Sequence, residues 1–256
     1  MPVVFAGIVP NSPLLLPGLT PEVQNNVGKT NRALARLSSM LKASKAEVLF
    51  IAAEHSLVDQ EYYWLLQSNK FPTNFKEYGD LITTREFLVA TGFIHALKES
   101  LETKISLPLR TPKFLPNSIA VPLIYFNETL PLVPLVLQPG CSPENLRSVA
   151  KYISEYFSSS SIKIAVLAAG LMSQGQLGDH AAEQTVFNSA FTNIIKKNDF
   201  TDLLNIDSKM RNRTGETLVS PLYLIARLIP SDKLNSSILS LETAVGHTNL
   251  VVHLNW

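Results

Sequence analysis

"SIKIAVLAAG", residues 161–170, is the clearest buried strand in the chain. Its apolar residues run without a break from Ile164 to Ala169 and stop at Gly170. A short run of this kind, bounded by turn residues, suits a strand covered on both faces. Upstream, "PENLRSVAKYISEYF" (143–157) reads as a helix opened by Ser142 and Pro143, and the serine-rich "FSSSSIK" as the loop joining helix to strand. Downstream, helices are expected at about 181–197 and 215–228, followed by a β-rich end, "SILSLETAV" and "NLVVHLNW".

The same alternation extends toward the N-terminus. "VVFAGIV" (3–9) and "AEVLFIAA" (46–53) are short buried strands. Between them, "VQNNVGKTNRALARLSSMLKAS" repeats apolar residues at helical spacing, with Thr20 and Pro21 as its opening. Residues 56–83 read as a long loop, 85–103 as a helix, and "SIAVPLIYF" and "LPLVPLVLQPG" as two strands flanking "NETL". Strands alternating with helices of this length predict an α/β/α sandwich, one domain over residues 1–256, with a central, mostly parallel sheet flanked by helices.

Composition narrows the function. The 256 residues are 46% hydrophobic and 17% charged, and their net charge of +1 gives no field that would draw nucleic acid. Cys141 is the single cysteine, which excludes an intrachain disulfide and a multi-thiolate zinc site. The first apolar run has no basic segment before it and is broken by prolines, so it reads as strand and loop rather than a signal peptide. No stretch approaches the roughly 18 uninterrupted apolar residues of a membrane span. The expectation is a cytoplasmic chain with no nucleic-acid or membrane partner. Dinucleotide, P-loop and nucleophile-elbow glycine patterns are absent.

Five histidines remain as candidates. His55 lies just past a buried strand, where α/β sheets collect ligands, and is either a metal or proton-transfer residue or a loop histidine with local bonds. His95 falls on a helix among apolar neighbours, His253 alternates with valines on a strand, and His247 follows Gly246 in a turn. His180 stands beside Asp179, which reads as a helix N-cap, or as half of an Asp–His pair. Glu216 opens an apolar helix, where the macrodipole favours an acid and where a carboxylate can also ligate a hard cation. Asn11 and Asn117 each sit in a Pro-Asn-Ser at a strand edge, a pattern turn chemistry also explains.

Taken in order, "VPNSPLLLPG", "AAEHS", "TNFKEYG", "LPNSIAVPL", "LAAGLMSQ" and "TGETLVSPL" span nearly the whole chain. They resemble the segments of the class III extradiol dioxygenase family, which includes the catalytic subunit of protocatechuate 4,5-dioxygenase and the Memo proteins. The resemblance implies ferrous iron, or another divalent metal, held by two histidines and a carboxylate, with two further histidines that orient substrate and move protons. Only His55 and Glu216 match metal ligands. Asn11 stands at the first ligand histidine, Asn117 and Gln174 at the two acid–base histidines, and Leu171 at an aspartate. An amide oxygen is a weaker donor than imidazole, and an amide is no base near neutral pH. Losing the general base alone typically removes about 10²–10⁴-fold in rate.

These substitutions predict a degenerate site with ring cleavage impaired or lost. Two alternatives accompany that expectation: an Fe²⁺-dependent oxidoreductase acting on a catecholic small molecule through His55 and Glu216, and a Memo-like protein that binds a ligand or partner without catalysis. The resemblance also places a small partner subunit among the expectations, a homo-oligomer is the other one, and no cofactor at all is the counterpart to the metal.

Overall fold

The computed structural model describes residues 2–56, 62–126, 129–175, 181–230 and 234–256. Its strands are β1 (Val3–Val9), β2 (Val48–Glu54), β3 (Tyr63–Leu66), β4 (Lys70–Pro72), β5 (Glu86–Leu88), β6 (Leu109–Arg110), β7 (Leu132–Leu137), β8 (Ile164–Ala169), β9 (Ser173–Gln174), β10 (Asn235–Ala244) and β11 (His247–Asn255). The helices are α1 (Pro21–Asn25), α2 (Gly28–Ala43), α3 (Thr91–Leu101), α4 (Asn117–Leu123), α5 (Pro143–Ser159), α6 (Ala181–Lys197), α7 (Ser208–Thr214) and α8 (Val219–Arg227).

The main sheet runs β10-β11-β1-β8-β2-β7-β3-β6, with β9 paired to β11. Its centre, β1-β8-β2-β7, is wholly parallel, and β11 and β3 flank it antiparallel. The sheet is therefore mostly parallel and flanked by helices, the architecture expected from the alternating pattern. All of Ile164–Ala169 is buried, as the uninterrupted apolar run requires.

Two crossovers of opposite direction explain why both faces are covered. From β1 to β2 the chain steps over β8 in one direction, carrying α2; from β7 to β8 it steps back over β2, carrying α5. Right-handed connections running in opposite directions deposit their helices on opposite faces. Accordingly Leu37 of α2 lies over Gly7 and Leu167 on one face. On the other, Phe157 of α5 meets Phe50 of β2 edge-on, with ring centroids 5.3 Å apart.

Four expectations need correction. "SIAVPLIYF" is not a strand: Asn117–Leu123 is helix α4, its turn begun by Ala120 N–H bonding Pro116 O at 2.9 Å. A short apolar run carries no period that separates a buried helix from a buried strand. Residues 56–83 are not all loop, since Tyr63–Leu66 pairs with β7, and Lys70–Pro72 forms a two-stranded sheet with β5. The 85–103 helix starts only at Thr91, because Glu86–Leu88 is taken by that pairing. The 215–228 helix starts at Val219, after a separate turn of helix, α7, that ends at the left-handed Gly215.

Phe157 is 1% exposed and packs against both Phe50 and Phe93. Phe157→Ala is expected to cost about 3–5 kcal/mol in urea denaturation, as for other buried aromatic truncations. A loss below 1 kcal/mol would show that α5 does not depend on this contact.

Candidate functional site

The parallel strands β1, β2, β7 and β8 all end on one edge of the sheet. That edge carries Asn11 and Ser12 after β1, Glu54 and His55 at the end of β2, Cys141 after β7, and Gly170 to Gln174 after β8. Ligands of parallel α/β sheets gather at this kind of edge.

The end of β2 divides the site. His55 N–H still bonds Leu137 O at 3.0 Å, so the strand's alternation continues through it. Glu54 and His55 therefore point to opposite faces. His55 joins Leu66, Glu77, Phe114, Leu115 and Asn117 around a cavity of about 470 Å³. Within it Asn117 Nδ2 donates to the Glu77 carboxylate. Burial pushes the His55 pKa down, and the Glu77 charge offsets this only in part. The imidazole is neutral near pH 7 and offers a lone pair to a ligand. Tyr78, beside Glu77 and Asn117, is held above the ordinary phenol range by burial and by the Glu77 charge.

Glu54 enters a different cluster. Arg211 Nη2 lies 3.4 Å from Glu54 Oε1 and 3.1 Å from Ser220 Oγ, while Arg211 Nε donates to Glu216 Oε1. Glu216 Oε2 accepts from the Leu218 and Val219 amides at 2.9 and 2.8 Å, in the opening turn of α8. This is the helix-start acid that the macrodipole favours. Glu54 and Glu216 are 6% and 7% exposed. Two buried carboxylates share one guanidinium, leaving one negative charge in excess. Burial first, and then repulsion from Glu216, raise Glu54 to about 7, against the pull of Ser220 and Arg211. Cys141 is buried, and burial together with the Glu54 charge pushes its thiol up to about 12, so it is no nucleophile.

The remaining sequence candidates scatter. Gln174 pairs with His247 across β9 and β11, and both line a separate cavity of about 630 Å³. Asn11 is half-buried and lines neither cavity; its neighbour Ser12 reaches His247 instead. Buried Leu171 is tied to Thr217, its N–H bonding Thr217 Oγ1 at 2.9 Å. Beside it, a Cβ on Gly170 would come within 2.5 Å of Thr217 O, so glycine lets the two segments touch. His95 is exposed on α3, and His253 sits against the Phe5 ring at 5.5 Å. Asp179 and His180 lie outside the described residues.

The structure thus brings His55 and Asn117 to one cavity and places Gln174 at another, with Glu216 in the ion cluster. Glu54, Glu77 and Arg211 were not singled out from the sequence, although Glu54 adjoins His55 in "AAEHS" and Arg211 precedes Glu216 by five residues. The donor set fits a ferrous ion poorly. Both Glu216 oxygens are engaged, a metal there would meet the Arg211 charge, and Asn11 supplies an amide in place of imidazole. Among the described residues no three His, Cys, Asp or Glu side chains are grouped as a metal would need.

No family model matches the chain, and no curated protein matches it. Among solved structures it is similar to the uncharacterized protein JW3007 from Escherichia coli K12, with a TM-score of 0.66 and 12% identity over 99% of this chain and 100% of that one. At that identity the likeness establishes the fold. No helix among the described residues is long and apolar enough to cross a membrane.

Two outcomes follow from the ion cluster. Arg211→Met strands two buried carboxylates and is expected to cost about 3–5 kcal/mol, measured by urea denaturation at pH 7.5. Glu54 sets a pH dependence. Below about pH 4.5 it is protonated folded and unfolded alike; between there and about 7 only the unfolded chain releases the proton, so stability falls as pH rises. Denaturation midpoints of Glu54→Gln should therefore gain on the parent protein between pH 5 and pH 8. Parallel curves for the two proteins would contradict the assignment.

Proposed function

We propose that this chain is a divergent class III extradiol dioxygenase-like protein that has lost ring cleavage and keeps the His55 cavity for a small-molecule ligand. The observation that carries the reading is the Arg211 guanidinium on Glu216. The carboxylate that matches the family's metal ligand is neutralised by a protein cation and held by two backbone amides. Arginine stays charged at any accessible pH, so it competes with a divalent cation under all ordinary conditions. The three amides at Asn11, Asn117 and Gln174 point the same way, since none can act as a base.

The His55 cavity supports the ligand half of the reading. Its volume lies in the range of small-molecule sites, and its wall combines apolar Leu66, Phe114 and Leu115 with a few polar groups. Neutral His55 and the Glu77 carboxylate are acceptors, while Arg110 and the Asn74 and Asn117 amides bring donors, so a compact, partly apolar molecule carrying both a hydrogen-bond donor and an acceptor fits this lining.

Anaerobic reconstitution with Fe²⁺ followed by elemental analysis tests the proposal. Iron well below one per chain, unchanged in His55→Ala and Glu216→Ala, is the expected result. Stoichiometric iron that both variants lose would overturn it and make the protein an iron-dependent oxidoreductase.

A further inference from the structure

The second cavity lies away from the His55 cavity and is built differently. Gln174, Asn212, Arg213, Gly215, Val245 and His247 line it, and among the described residues no carboxylate does. Its walls are drawn together at two left-handed glycines. At Gly215, with φ 61°, a Cβ would meet Gln174 O at 2.6 Å; at Gly246, with φ 77°, it would meet Gly175 O at 2.0 Å. Only glycine combines that backbone conformation with that approach.

Ser12 decides what His247 presents to this space. Ser12 is fully buried, its Oγ accepts from Leu14 N–H at 3.3 Å, and it lies 2.9 Å from His247 Nδ1. A buried hydroxyl whose hydrogen finds no acceptor costs about 1–3 kcal/mol. Nδ1 is the acceptor among its partners, so Ser12 O–H donates to Nδ1 and the neutral ring carries its own proton on Nε2. Burial, which lowers the His247 pKa, keeps that ring neutral near pH 7. With Nδ1 turned to Ser12, the Nε2–H end is left for the cavity as a donor. The Gln174 and Asn212 side-chain amides have no hydrogen-bond partner among the described residues and add further donors. Arg213 supplies the positive charge, and its Nη1 holds Glu183 at 2.9 Å on the exposed side.

We propose that this cavity binds a small oxyanion, a carboxylate or phosphate, through His247 Nε2–H, the Gln174 and Asn212 amides and the Arg213 guanidinium. Glu183 is then an internal competitor that holds Arg213 in the absence of the anion. This site is independent of the iron question and of the His55 cavity.

The test is NMR of the ¹⁵N-labelled full chain, following the His247 imidazole while inorganic phosphate and, separately, acetate are added at constant ionic strength. The expected result is a neutral ring protonated at Nε2 and a saturable shift with at least one probe. Arg213→Gln, at an exposed position, should weaken binding about tenfold, the loss of one charge-assisted bond. Glu183→Gln should tighten it, and Ser12→Ala should remove the Nε2–H preference. A ring protonated at Nδ1 overturns the proposal. So does a shift that fails to saturate at tens of millimolar with both probes, that Arg213→Gln leaves unchanged, or that Glu183→Gln weakens.

Discussion

One residue step at the end of β2 organises the whole carboxyl edge. Because a strand sends successive side chains to opposite faces, Glu54 and His55 are adjacent in the chain and separated by the sheet. Each then gathers its own surroundings. Glu54 is joined from the α5 and α8 side by Arg211, Glu216 and Ser220, while His55 shares a cavity with Asn117 of α4 and Glu77. The strand can carry these polar residues at its end because the four parallel strands behind them are apolar and fully paired.

The Glu54 cluster illustrates how costly buried charge is offset. Removing two carboxylates and a guanidinium from water is recovered only if each is hydrogen-bonded and the charges nearly cancel. Glu216 meets the condition fully, with a guanidinium on one oxygen and two amides on the other. Glu54, facing the same guanidinium at 3.4 Å and a neighbouring anion, does not, and responds by holding its proton to about pH 7.

The sequence discloses this architecture unevenly. Strands β1, β2, β7 and β8 were legible because each is an apolar run cut short by Pro, Gly or a polar pair, and α5 because Ser142 and Pro143 cap it. Helix α4 was not, since "IAVPL" is apolar throughout and its Pro122 argues against a helix as much as against an inner strand. The candidate site was legible in its residue types and not in its grouping. His55 and Asn117 share a cavity, yet nothing in their spacing of 62 positions separates them from Glu216 or Gln174. Arg211 was invisible for a different reason: its role depends on α7 turning it back toward Glu54, a contact across 157 residues.

Strand β1 has a consequence for how the chain acquires its shape. Its two neighbours are β8, beginning at Ile164, and β11, beginning at His247. The earliest strand of the sheet thus has no partner until β8 is made, and keeps its other edge open until the last strand, β11, follows. Pairing over such separations pays loop-closure entropy before any ladder bond returns it, which slows folding. Meanwhile Val3–Val9 is an apolar segment with two open edges, the kind of surface that recruits other chains. During synthesis, then, the vulnerable part of this sheet is its oldest strand, and its protection is completed only by its youngest.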